Sequence, residues 1–128
     1  MATITLDSDR FDEVVQDNDV VLVDFWAAWC GPCRVFAPVF EAASEAHPDI
    51  VFAKVDTEAQ QALAARFGIM SIPTLMAFRE QVLVYAQPGA LPADSLEELI
   101  TEVGELDMGD VRQQLADRRA AATAGGRS

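Results

Sequence analysis

Apolar residues along this chain fall into short blocks of strand type separated by stretches in which they recur every three or four residues. "TITL" (3–6) predicts a short strand, and Ser8 or Asp9 can cap a following helix with Phe11, Val14 and Val15 as its apolar stripe. "VVLVDFWA" (20–27) is nearly continuous in apolar character, as expected of a strand buried on both faces. Val35, Phe36, Val39, Phe40 and Ala43 then recur at helical spacing up to about His47, and "DIVFAKVD" (49–56) predicts a second buried strand. Residues 58–67 read as a helix closed by Gly68. "TLMAF" (74–78) and "VLVYA" (82–86) read as an antiparallel pair joined by a short turn. Residues 91–103 form an amphipathic helix with Asp94 as its cap and Leu96, Leu99, Ile100 and Val103 facing inward. The order βαβαβα followed by ββα predicts an α/β fold whose early strands are parallel through crossover helices and whose last two form a hairpin.

From Glu105 the character of the chain changes. Residues 105–128 lack aromatics and end in small residues, so 1–104 is expected to be the folded domain and 105–128 a C-terminal extension. Asp110 can cap a short helix to about residue 121, followed by a flexible end. Met108, Val111 and Leu115 share one face of it. So short a helix persists only if that face docks, on this chain's own domain or on a second copy.

Composition narrows the class. With 128 residues, 51% hydrophobic and 23% charged, the chain fits one globular domain, and no apolar run reaches the length of a membrane span. "MATITLDSDR" does not resemble a secretory signal, so a cytoplasmic location is expected. The net charge of −12 disfavours nucleic acid and anionic membrane as partners. That charge resides in residues 1–104, which carry seventeen acids and five bases, whereas 105–128 carries four of each. Lys54 is the only lysine.

Both cysteines, Cys30 and Cys33, lie in "DFWAAWCGPCRVF" together with both tryptophans. The pair can be a structural disulfide, half of a metal site, two inert core cysteines or a working redox couple. A structural disulfide is unusual in the cytoplasm. A zinc site wants four ligands, and the only further soft ligand is His47, some four turns along the same helix. The Trp29–Gly31–Pro32 setting argues against inert core packing. A redox couple has a physical basis here. If the helix starts near Gly31, Cys30 sits among unpaired N–H groups that favour an anion, and the thiolate is the reactive form. Cys33 then lies one turn away, at a spacing that suits a disulfide, and Pro32 fits the first turn, where its missing N–H costs nothing.

"VLVDFWAAWCGPCRVFAP" resembles the active-site segment of the thioredoxin family, and the similarity continues through "KVDTEAQQALAARFGIMSIPTLMAF" and "GAL", over residues 3–104. Cys-x-x-Cys beside a βαβ pattern is a known sign of this fold. The resemblance implies a central mixed five-stranded sheet of order 1-3-2-4-5 flanked by four helices. It implies a dithiol–disulfide oxidoreductase that reduces protein disulfides, with Cys30 as nucleophile and Cys33 as resolving thiol. The partners it implies are disulfide-bearing proteins and a reductase that recharges the oxidised form. It also implies a monomer with no bound cofactor beyond the Cys30–Cys33 disulfide itself.

The supporting residues follow the same division between physics and resemblance. Asp24 interrupts an apolar run, a costly position unless the carboxyl is paired, hydrogen-bonded or protonated. Alternation puts Leu22, Asp24 and Trp26 on one face of their strand and Phe52, Lys54 and Asp56 on one face of the next, so Lys54 can lie beside Asp24. The resemblance makes Asp24 a proton-transfer group for Cys33 and Lys54 its tuning residue. It makes Pro73 a cis-proline facing the disulfide and Pro38 a kink in the helix after the cysteines. Trp29, Gly31, Pro32, Ile72, Pro73, Gly89 and Ala90 are then the substrate-binding rim. Two positions depart from the family pattern. Pro88 stands before Gly89 where an N–H-bearing residue is usual, and "FREQV" lacks an Asn-Gly turn, predicting a looser hairpin. Two rivals share the fold: a disulfide oxidant or isomerase, and a binding module without turnover.

Overall fold

The strand that is apolar on both faces lies at the centre of the sheet, where both faces are covered. In the computed structural model, which describes residues 2–125, this strand is β2 (Val20–Trp26), with β3 (Val51–Asp56) parallel on one side and β4 (Thr74–Arg79) antiparallel on the other. β1 (Thr3–Thr5) and β5 (Val82–Pro88) form the edges, so the order is β1-β3-β2-β4-β5. This is the expected 1-3-2-4-5 sheet of the thioredoxin fold.

Alternation along β2 sorts its side chains into two layers. Val21, Val23 and Phe25 pack with Phe11, Val14 and Val15 of α1 (Ser8–Asp17) and Leu63 of α3 (Gln61–Arg66). Leu22 joins Phe52 and Leu75 against Phe36 and Phe40 of α2 (Gly31–Ala46) and against Leu96, Leu99, Ile100 and Val103 of α4 (Ala93–Glu105). Fully burying each of these large side chains contributes roughly 1.5–3 kcal/mol. Asp24 has the parity of Leu22 and therefore points into the α2–α4 layer.

Several termini differ from expectation by a residue or two, each for a local reason. The cap of α1 is Asp7, not Ser8 or Asp9; its carboxylate accepts the Arg10 N–H at 2.9 Å. At α4, Pro92 holds the N-cap position without a side-chain cap, and Asp94 lies within the first turn, where it complements the helix dipole. α3 begins at Gln61 and not at residue 58, because the Asp56 carboxylate takes the N–H groups of Glu58 (2.9 Å) and Ala59 (3.4 Å) into a turn of its own. Its far end closes as expected: Gly68, at φ 62°, and Ile69 donate N–H bonds back to Ala65 and Ala64. α2 runs through Pro38 as a single helix.

The helix of the extension, α5, spans Met108–Gly125, longer than the stretch expected, and Asp107 rather than Asp110 provides its cap, accepting the Asp110 N–H at 3.1 Å. Side-chain bonds one turn apart, Gln114 to Asp110 and Gln113 to Asp117, support it. Residues 126–128, at the predicted flexible end, lie outside those described. α5 docks on this chain's own domain. Met108 is buried, Arg112 donates to Glu80 at 2.6 Å, and Val111 and Leu115 line a cleft with Val82 and Val84. Arg79 secures the junction before it by donating to the carbonyls of Val103, Gly104 and Leu106 at 2.7–3.3 Å.

The β4–β5 turn is not loose. Arg79 pairs with Val82, and Glu80 and Gln81 occupy a two-residue loop at φ 49° and 73°, the sign a twisted hairpin requires. The Glu80 N–H donates to Asp19 at 2.7 Å and the Gln81 amide to Gln16 at 3.3 Å, which holds non-glycine residues in this disfavoured region. Gln81→Gly is expected to stabilise the fold by about 0.5–1 kcal/mol, and Gln81→Val to destabilise it by about 1 kcal/mol. Urea unfolding of the two variants against the parent checks both signs.

Candidate redox site

The chain leaves β2 at Trp26, crosses Ala27–Trp29 and enters α2 at Gly31, so Cys30 falls at the helix N-cap with extended backbone (φ −87°, ψ 113°). Its sulfur accepts the Cys33 N–H at 3.2 Å. One of the free donors of the first turn is thus already directed at Cys30 Sγ. Cys33 sits one turn on, with 5.2 Å between the Cα atoms, and the two sulfurs are joined as a disulfide. Gly31 and Pro32 between them are exposed in the first helical turn, whereas Cys30 and Cys33 are nearly covered and pack with Ala27, Trp26 and Ile72. His47 is engaged elsewhere, paired with Glu97 at 2.8 Å, and among the described residues no three His, Cys, Asp or Glu side chains gather as a metal site.

Asp24 is fully buried, and neither carboxyl oxygen has a hydrogen-bond partner in the protein. Loss of hydration drives its pKa up from the ordinary carboxylate value to about 7, with the Lys54 charge opposing the rise. Lys54 is the register partner of Asp24 across β2 and β3, and its ammonium lies 5.1 Å from the centre of the Trp26 ring. Lys54, Trp26 and Cys33 line one narrow cleft of about 90 Å³, together with Arg34 and Ala37.

Around the disulfide the expected rim residues come from three separate loops. Trp29 is 66% exposed, and its indole N–H donates to Glu58 at 2.6 Å. The Ile72–Pro73 peptide is cis, and the Ile72 carbonyl oxygen lies 3.6 Å from Cys30 Sγ. The Gly89 N–H donates to the Pro73 carbonyl at 2.7 Å, with Gly89 at φ 109°, a conformation open to glycine. This bond ties the end of β5 to the loop before β4, and Pro88 directly before it forgoes only a donor on an edge strand. Ala90 follows, exposed. The residues that sequence reasoning missed are Glu58, which fixes Trp29, and Trp26, which receives Lys54. A carboxylate 29 positions from Trp29 has no local signal, because only the β3–α3 turn brings it there.

The arrangement is a dithiol–disulfide couple at a helix N-terminus, on a sheet whose central strand carries a buried titratable carboxyl. The comparisons with known proteins agree. The thioredoxin family model matches residues 2–102. A Streptomyces coelicolor protein provisionally named thioredoxin 2 is 57% identical over 121 residues, 94% of this chain and 90% of its own length. That match runs on into α5. The thioredoxin of Alicyclobacillus acidocaldarius is 45% identical over 103 residues, which cover 80% of this chain and 98% of that protein. Among solved structures, a mutant thioredoxin from Halobacterium salinarum superposes with a TM-score of 0.74 at 39% identity, covering 81% of this chain and 91% of the other. The redox group is the chain's own disulfide, its activity is protein-disulfide oxidoreduction, and the chain belongs to the thioredoxin family.

Proposed function

We propose that the reduced chain is a protein-disulfide reductase that works through a mixed disulfide. The carrying observation is Cys30 at the N-cap of α2 with the Cys33 N–H on its sulfur. The Cys30 thiolate attacks one sulfur of a substrate disulfide, forms a mixed disulfide and expels the first substrate thiolate. Cys33 then gives up its proton and attacks Cys30 Sγ. The Cys30–Cys33 disulfide forms, the second substrate thiolate leaves, and two electrons have passed to the substrate. Surroundings support this division of labour, since Cys33 lines the cleft that also holds Lys54, while Cys30 lies against the Ile72 carbonyl beside the rim.

Asp24 is the group that receives the Cys33 proton. Its pKa of about 7 lets it exist in either form near neutrality, as a proton-transfer group must. Lys54 tunes it by favouring the charged form. The cleft between Lys54 and Cys33 is large enough for a bridging water. Trp29, Gly31, Pro32, Ile72, Pro73, Gly89 and Ala90 form the docking rim, which accepts an extended segment of the substrate. Residues 1–104 carry all of this chemistry as one domain, and 105–128 is an appended extension. A reductase recharges the oxidised protein, which acts in the cytoplasm as a monomer. No helix of the described residues is long and apolar enough to cross a membrane.

Two outcomes follow. Cys33→Ser is expected to accumulate stable mixed disulfides with substrate proteins, and Cys30→Ser none, as read on non-reducing gels; the reverse pattern exchanges the two roles. Asp24 also makes stability depend on pH. Its native pKa is raised, so the folded state holds the proton more tightly than the unfolded state between about pH 4 and 7. Stability therefore falls as pH rises through that window, and the penalty is complete above it. Asp24→Asn is expected to stabilise the oxidised protein by about 4 kcal/mol at pH 8 and by little at pH 4. Denaturant melts at the two pH values check this, and stopped-flow kinetics should show resolution of the mixed disulfide slowed more than its formation.

A further inference from the structure

Met70 is 95% exposed, the most open large apolar side chain among the described residues. Its loop is held at both ends. The Ile69 N–H donates to Ala64 at 3.0 Å, and the Thr74 hydroxyl donates to the Ser71 carbonyl at 2.6 Å. A single exposed apolar residue would call for no explanation. Met70, however, stands on the wall of a cleft of about 390 Å³ whose other walls are Trp29, Thr57, Ala64, Ile69, Ser71 and Ile72. None of these seven residues is charged, on a chain of net charge −12. The cleft adjoins the redox site directly, since Ile72 places its carbonyl 3.6 Å from Cys30 Sγ and Trp29 immediately precedes Cys30.

The Trp29 indole and the backbone that carries Met70 are both held by bonds within the chain. Glu58 fixes the indole of Trp29 on one side, and the pinned loop presents Met70 on the other. A segment that brings a sulfur to Cys30 past the Ile72 carbonyl passes the mouth of this cleft, within reach of a neighbouring side chain. Methionine suits such a wall, because its unbranched and polarisable chain adapts to side chains of different shape.

We infer that Met70 is a specificity-determining residue for the disulfide exchange, selecting substrate segments that carry a large apolar side chain beside the reacting half-cystine. The inference rests on the reductase reading above and adds the class of segment that site prefers. Met70 takes no part in the chemistry itself; it acts on substrate binding alone.

The test uses the full chain and two neutral disulfide-linked peptides that differ only in the residue flanking the cystine, leucine in one and glycine in the other. The parent is expected to favour the leucine peptide about tenfold in kcat/KM. Met70→Gln, nearly isosteric and uncharged, should remove that preference by raising KM for the leucine peptide with kcat unchanged, while Met70→Leu retains it. Reduction of hydroxyethyl disulfide and the midpoint potential should be the same in all three proteins. If Met70→Gln keeps the tenfold preference, or the parent has none, while hydroxyethyl disulfide is still reduced, Met70 is not the selector. If the parent reduces neither the peptides nor hydroxyethyl disulfide, the reductase reading falls and takes this inference with it.

Discussion

Burial of β2 on both faces is the constraint from which the rest of the molecule follows. A strand of Val, Leu and Phe flanked by hydrogen-bonded neighbours on both edges needs a helical layer above and below, and the crossover helices supply both. The same placement imposes a cost at one position. Asp24 lies in the middle of that strand without a hydrogen-bond partner in the protein, where only the neutral form is well tolerated. The scaffold thus holds a carboxyl that titrates near neutrality in its central strand, and the same strand delivers its C-terminal end, and Cys30, to the mouth of α2.

From there the site is assembled by topology. Chain reversals after β2, β3 and β5 and before β4 converge at one end of the sheet, so that Trp29, Glu58, Pro73 and Gly89 become neighbours. Two bonds between loops, from the Trp29 indole to Glu58 and from the Gly89 N–H to Pro73, keep the rim in place around a cystine that is itself almost covered. α5 lies apart from this end, against the β4–β5 hairpin, and meets the domain through Met108, the Arg112–Glu80 pair and the Val111–Leu115 face. Its dependence on so few contacts agrees with a helix supported largely by its own Asp107 cap and one-turn side-chain bonds.

Much of this was legible in the residues themselves. The apolar run of β2, the alternation that sets Asp24 opposite Lys54 and the helical spacing after Cys33 each reflect a period that local sequence carries. The caps were less legible, because Asp7 and Ser8 are adjacent cap formers, Asp107 and Asp110 are one residue type a turn apart, and only the backbone decides between them. The tight turn at Glu80–Gln81 ran against its own residue types and is held by distant partners, Asp19 and Gln16. Glu58 and Met70 went unread for a related reason. Each matters only through a neighbour that the fold brings near.

The central claim is that position on α2, and not cysteine chemistry as such, separates the two thiols into attacker and resolver. The most direct measurement is competitive alkylation of the reduced protein with limiting iodoacetamide at neutral pH, followed by peptide mapping that resolves Cys30 from Cys33. Because the N-cap position and the Cys33 N–H favour the Cys30 thiolate, label is expected on Cys30 well ahead of Cys33. Preferential labelling of Cys33, or equal labelling of both, would contradict the account.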